Sequence, residues 1–241
     1  VTHEEHENPR QNVTFDAPGT ETGHAHGYLR VPDSGAGPGV IVVQEWWGLT
    51  DHIAGIVDRL AREGFVALAP DLYGGRTTHD SAEAFQFMRD LPPERAARDL
   101  AGAVTYLSGR PETTSATVGA VGFCMGGGFV LTLAAQQGDR IGAAVPWYGI
   151  PGPDTDYSAL RAAVLGHYGA EDTSVPLDGV HATEERLREQ AGVEVTMEVY
   201  PAPHAFYNDE RPSYRPESAE LAWERTTAFL RARLTPAPAR A

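Results

Sequence analysis

The chain switches repeatedly between short apolar runs of strand length and longer stretches in which apolar residues recur at intervals of three and four. Val40, Ile41, Val42 and Val43 form a continuous β-branched run within residues 39–44, which predicts a strand buried on both faces of a parallel sheet. From 50 to 63, Ile53, Ile56, Val57 and Leu60 keep helical spacing, with Thr50 placed to cap the start and Gly64 to end the helix. Residues 65–69 read as a second buried strand, closed by Pro70 and the turn-rich 71–75. The same reasoning predicts helices near 81–89 and 93–108, a strand at 116–121 and a helix at 125–137. Strands follow at 141–146, 162–168 and 193–200, with helices at 178–190 and 217–233.

Regular alternation of strand and helix predicts an α/β fold with a mostly parallel sheet and helices on both faces, because parallel neighbours need crossover connections. We expect one domain over 13–234, with loose segments at 1–12 and 235–241. In such folds ligands bind at the carboxyl ends of the strands. That is where chemistry is to be sought.

Composition narrows the function classes. Nineteen basic against thirty-three acidic side chains give a formal charge of -14, which repels nucleic-acid phosphates and anionic lipid surfaces and argues against both as partners. A hydrophobic share of 41% and a charged share of 22% are ordinary for a globular enzyme. The single cysteine, Cys124, excludes an intrachain disulfide and a thiolate metal cluster and favours a reducing compartment. With no apolar run of membrane-spanning length, the expectation is a cytoplasmic protein, a monomer or weak homo-oligomer.

That cysteine sits in Gly122-Phe123-Cys124-Met125-Gly126-Gly127, between a predicted strand and a predicted helix. A nucleophile at a strand-to-helix corner needs small residues two before and two after it, so that the two backbones can approach. With 26 glycines in 241 residues, that pair flanks a lone cysteine by chance roughly once in a hundred. The helix N-terminus supplies N–H groups and a positive dipole end, which favour a thiolate and an oxyanion. The plainer alternative is a small buried core thiol.

A nucleophile needs a base and an acid. Asp172 follows the strand at 162–168, and His204 follows the strand at 193–200, so both stand at carboxyl ends, in the order nucleophile, acid, histidine. Glu171 rivals Asp172 as the acid. Of the remaining histidines, His3, His6, His24, His26, His52, His79 and His181 are expected mostly in solvent, and His167 as a hydrogen-bonded core residue. His24 and His26 alternate as on a strand face, but two ligands without a third make a poor metal site, so no metal and no cofactor is expected.

Gln44-Glu45-Trp46-Trp47-Gly48, Ala69-Pro70-Asp71-Leu72-Tyr73-Gly74, the cysteine elbow, Gly169-Ala170-Glu171-Asp172 and His204-Ala205-Phe206 together resemble the dienelactone hydrolase family. The resemblance runs from about 39 to 229 and implies an α/β-hydrolase fold, with Cys124 as nucleophile, His204 as base and Asp172 as the residue that holds it. It further implies that Glu45 lies beside the thiol and helps switch it to thiolate when substrate binds. The backbone N–H groups of Met125 and Trp46 would form the oxyanion hole. A carboxylate at a strand end is also a candidate base in its own right, or a salt-bridged rim residue.

The chain departs from the family in the arginines that bind a substrate carboxylate: position 208 is Asn208, and 80–88 hold no arginine. Arg76, Arg89 or Arg211 could substitute. Trp46, Trp47, Phe85, Phe87, Tyr148 and Tyr207 could instead wall a largely apolar pocket, with Trp47, Phe85, Tyr148 and Asn208 as the substrate-binding set. The expected activity is hydrolysis of a small carboxylic ester or lactone through a thioester. The alternatives are an acyltransferase or thioesterase with the same triad, or a catalytically idle binding or redox-sensing protein.

Overall fold

A computed structural model of the chain describes residues 8–19 and 23–236. Eight strands form one sheet in the order β1-β2-β4-β3-β5-β6-β7-β8. Six of them, β3 (Gly39–Val43), β4 (Val66–Pro70), β5 (Val118–Phe123), β6 (Ile141–Trp147), β7 (Ala163–Gly169) and β8 (Val195–Tyr200), run parallel. The helices between and after them are α1 (Asp51–Arg62), α2 (Ser81–Asp90), α3 (Pro93–Ser108), α4 (Met125–Gln137), α5 (Leu177–Ala191) and α6 (Pro216–Arg233). Every predicted strand and helix is present within about two residues of its expected bounds.

Two strands escaped prediction. β1 (Val13–Asp16) and β2 (His24–Arg30) pair antiparallel with each other, and β2 pairs antiparallel with β4. In β2 the buried positions are Ala25, Gly27 and Leu29, so the inward residues are small or single and the apolar run that marks a buried strand is missing. His24 and His26 do share one face; His26 meets Thr14 and His24 meets Asp16. Among the described residues no cluster of three metal-ligating side chains forms, and no helix is long and apolar enough to cross a membrane.

Both faces of the sheet are covered, and the strands alternate between two cores. Ile41, Val43 and Ala120 pack with Val104, Val130 and Leu187 from α3, α4 and α5. Val40, Val42 and Val121 pack with Ile53, Leu60, Trp223 and Leu230 from α1 and α6. This period of two with both faces apolar is why β3 is fully buried along its length.

Local signals held in part. Gly64 takes φ +93° where α1 ends, a conformation glycine adopts without a Cβ penalty. Thr50 precedes α1 in extended conformation, but its side chain makes no capping bond.

The segment expected to be loose at the start is anchored in its described part. Asn8 donates to the carbonyl of Leu49, Arg10 pairs with Asp51, and Gln11 donates to Asp71. Residues 1–7 lie outside the described residues, as do 237–241 of the expected tail, whereas Thr235 accepts a hydrogen bond from the Ala116 N–H.

Candidate active site

The carboxyl ends of five parallel strands converge on one place. Glu45 follows β3, Cys124 follows β5, Tyr148 follows β6, Asp172 follows β7 and His204 follows β8. None of these is close in sequence to the others. The parallel sheet brings them together.

Cys124 occupies the corner between β5 and α4 with φ 54°, in the left-handed half of the map. A non-glycine residue there costs about 1–3 kcal/mol and persists only where its surroundings hold it. The surroundings are specific: the Cys124 N–H donates to Trp147 O at 3.0 Å, and its carbonyl accepts from the Gly127 N–H at 2.9 Å. A Cβ on Gly122 would fall 2.2 Å from the Gly126 carbonyl oxygen, and one on Gly126 would fall 2.3 Å from Val43 O. The glycine spacing read from the sequence is therefore a steric requirement of this turn.

Asp172 is buried, and its Oδ2 lies 2.7 Å from Nδ1 of His204. Its Oδ1 accepts from the Ser174 and Val175 N–H groups, so the carboxylate is fixed by the turn in which it sits. Glu171 is exposed; of the two candidate acids, Asp172 is the one that meets the histidine. Burial works against an imidazolium at His204. Hydrogen bonds to Asp172 and to Cys124, with the charges of both, outweigh it and push His204 up to about 10.

Glu45 is almost fully buried, but it does not hydrogen-bond to Cys124. Its Oε2 accepts from Nδ2 of Asn208 at 2.6 Å, and its Oε1 accepts from the Tyr148 hydroxyl at 3.3 Å. Tyr148 has φ 39°, and its ring stands edge-on to His204 at 5.3 Å. Burial, then the charges of Glu45 and Cys124, push its phenol well above the usual range, so it remains a donor. Two residues expected to line a substrate pocket, Tyr148 and Asn208, are thus both buried and both turned onto Glu45.

Phe85 is also placed differently from expectation. It is 49% exposed, with Arg89 over its ring. Phe87 on the same helix is buried and stands edge-on to Tyr73 at 5.5 Å. Two residues apart on a helix face nearly opposite directions, so only one of the pair can turn inward.

Tyr73 itself is a site residue that periodicity could not find. It follows β4 in a turn whose N–H groups, at Tyr73 and Gly75, donate to Asp71. Its hydroxyl donates to Met125 Sδ at 3.4 Å; burial, then the charge of Cys124, raise its phenol. Its place at a strand end was the available signal.

Of the arginines considered for an anion clamp, Arg89 lies over Phe85, and Arg211 keeps a buried Nη2 without a hydrogen-bond partner among the described residues. Arg76 donates to the Tyr73 carbonyl and lies over Phe87. Arg211 stacks on Trp47 with its Cζ 3.7 Å from the ring centroid.

Trp46 is half-buried, against Trp47 at 4.9 Å. Met125 is the first residue of α4, so its N–H has no intrahelical acceptor.

His52, expected in solvent, is buried, with Nδ1 3.0 Å from Asp209 Oδ1. His167 is buried between the Tyr200 and Thr226 hydroxyls, as a core residue.

Comparison with known proteins identifies the family. Residues 25–234 match the model of the dienelactone hydrolase family. Protein usf of Aquifex pyrophilus is 36% identical over 234 residues, covering 93% of this chain and 99% of that protein. A protein of Methylorubrum extorquens named "Putative carboxymethylenebutenolidase" is 34% identical over 221 residues, covering 85% of this chain and 75% of that one. Among solved structures, a dienelactone hydrolase-like promiscuous phosphotriesterase from metagenomic libraries superposes with a TM-score of 0.81 at 26% identity, covering 94% and 98% of the two chains. With a family match across most of its length and relatives above 30% identity, this chain belongs to the dienelactone hydrolase family and has its α/β-hydrolase fold.

Proposed function

We propose that the protein hydrolyses small carboxylic esters or lactones through a thioester formed on Cys124. The observation that carries this reading is a thiol on a strained elbow whose histidine partner is held by a buried carboxylate at 2.7 Å. A strained turn and a buried acid both cost stability, and a binding protein has no use for either.

The reaction begins with the Cys124 thiolate attacking the ester carbonyl carbon. A C–S bond forms and the carbonyl oxygen becomes an oxyanion, which the N–H groups of Met125 and Trp46 receive. One such donor is worth about a hundredfold to a thousandfold in rate. Collapse breaks the C–O bond, and the departing alkoxide takes the proton from the ring nitrogen of His204 that Asp172 does not occupy. In a lactone the alcohol stays tethered to the acyl group.

His204, now neutral, takes a proton from water as the water oxygen attacks the thioester. The C–S bond breaks, the carboxylic acid leaves and gives its proton to solvent, and the thiolate–imidazolium pair is restored. Asp172 keeps Nδ1 protonated throughout and stabilises the imidazolium.

The test is hydrolysis of a short aryl acetate by the wild-type chain with and without prior treatment with iodoacetamide. Loss of turnover in step with alkylation of the one cysteine supports the reading. Full turnover after complete alkylation contradicts it.

A further inference from the structure

Trp46 and Trp47 are the two central residues of a turn closed by the Gly48 N–H, which donates to Glu45 O at 3.3 Å. The first central residue of such a turn keeps its own N–H outside the closing bond, and the Trp46 N–H meets no acceptor among the described residues. Its direction is set by how the turn is held. Gly48 takes φ +95°, and a Cβ there would fall 2.4 Å from Arg76 O. The Thr78 N–H donates to Trp47 O at 3.1 Å. The Trp47 ring, itself buried, meets the Trp46 ring at 4.9 Å and carries the guanidinium of Arg211, whose Cζ is 3.7 Å from its centroid.

Arg211 belongs to the loop after β8 that presents His204. Its backbone is fixed on both sides: the N–H donates to Asn208 O and the carbonyl accepts from the Tyr214 N–H, each at 3.1 Å. Asn208 and Asp209 tie the same loop to Glu45 and His52, on either side of the tryptophan turn. The Arg211 side chain makes no hydrogen bond or ion pair among the described residues, and its Nη2 is closed to solvent. That nitrogen is therefore not offered to an approaching substrate, and a buried donor left unpaired costs stability. What the side chain gains is a flat contact with the ring.

We infer that Arg211 is a positioning residue: its stack on Trp47 locks the Glu45–Gly48 turn against the loop of His204 and so aims the Trp46 N–H at the oxyanion. This rests on the acyl-enzyme reading above and names the side chain that sets one half of its oxyanion hole. Donor and base are thereby held in one unit, although they come from opposite ends of the chain. The plane of the guanidinium matters more than its charge, because lysine would keep the charge and lose the stack.

The experiment compares two reactions of Cys124 in the full chain as wild type, Arg211→Ala and Arg211→Lys. Hydrolysis of an aryl acetate passes through an oxyanion. Exchange with an aryl disulfide does not: the thiolate attacks one sulfur, the S–S bond breaks and an aryl thiolate departs. In both variants kcat for the ester should fall roughly tenfold to a hundredfold, with KM within about threefold of wild type. The exchange rate at the same pH should stay within about twofold of wild type. Should Arg211→Ala unfold below the assay temperature, Arg211→Lys carries the same comparison.

A wild-type kcat in either folded variant overturns the inference; in Arg211→Lys it would show that charge suffices. A loss of exchange equal to the loss of turnover overturns it as well, since the thiol and not the oxyanion would then be affected. These results leave the hydrolase reading standing. That reading fails separately if complete alkylation of Cys124 by iodoacetamide leaves wild-type ester hydrolysis intact.

Discussion

A Cβ on Gly122 would lie 2.2 Å from the carbonyl oxygen of Gly126, closer than any real Cβ contact. The obstacle is backbone, which cannot rotate aside. Gly122→Ala should therefore cost about 3 kcal/mol or more of stability and displace Cys124. Gly55, in the middle of α1, has nothing within 4 Å of where its Cβ would sit, so Gly55→Ala should stabilise by about 0.5–1 kcal/mol. Urea unfolding of the two variants separates a steric glycine from an incidental one.

Asp172→Asn should lower kcat/KM by a factor of about a thousand to ten thousand, the scale expected when a catalytic histidine loses its carboxylate partner. The sign of the accompanying pH effect follows from His204. Its proton is held up to about 10 partly by Asp172, so removing that carboxylate lowers the pH at which the imidazolium is lost. Glu171→Ala, altering an exposed side chain, should stay within about twofold of wild type. Steady-state rates on an aryl acetate across pH compare all three.

His167 links the fold to acid. Burial, then the charge of Arg225, lower it to about 3, while an unfolded chain binds that proton near 6.5. Between those values the unfolded state holds more protons, so stability is full above pH 6.5 and is lost as pH falls toward 3. At pH 4.5 the loss should be about 3 kcal/mol relative to pH 7. In His167→Gln, which keeps polar atoms for Tyr200 and Thr226, urea unfolding should show that much less dependence on pH. An equal dependence in both proteins contradicts the assignment.

Substrate charge is the next prediction. The Asn208 side chain is 2% exposed and turned onto Glu45, so an arginine placed there would pair with Glu45 rather than greet a substrate carboxylate. Wild type should turn over neutral aryl acetates with higher kcat/KM than an anionic dienelactone. Asn208→Arg should leave that ratio within about twofold. A ratio that swings toward the anion would place position 208 in the substrate pocket.

Most of the fold was legible because buried parallel strands and amphipathic helices write their periods into the sequence, as in residues 39–43 and α1. β1 and β2 were not, because their inward positions are Phe15, Ala25, Gly27 and Leu29 among polar neighbours. The places of Cys124, Asp172 and His204 at strand ends, and the glycine spacing of the elbow, were legible in the sequence. What could not be read was orientation. Tyr148 was assigned to the pocket as an aromatic and Asn208 by its place at the family's clamp position four residues after His204, but which way a side chain turns depends on Glu45, distant in sequence from both. Phe85 and Phe87 show the same limit, since the face that α2 buries is set by Tyr73 and Arg76 across the chain.

The most direct test of the whole account is to quench the protein during turnover of an aryl acetate and locate the acyl group by peptide mass spectrometry. The account predicts one acetyl group on the peptide that carries Cys124, lost on reaction with hydroxylamine, and none in Cys124→Ala, which should have no measurable turnover. An acetyl group on a different residue, or Cys124→Ala turning over at more than about a tenth of the wild-type rate, would contradict it.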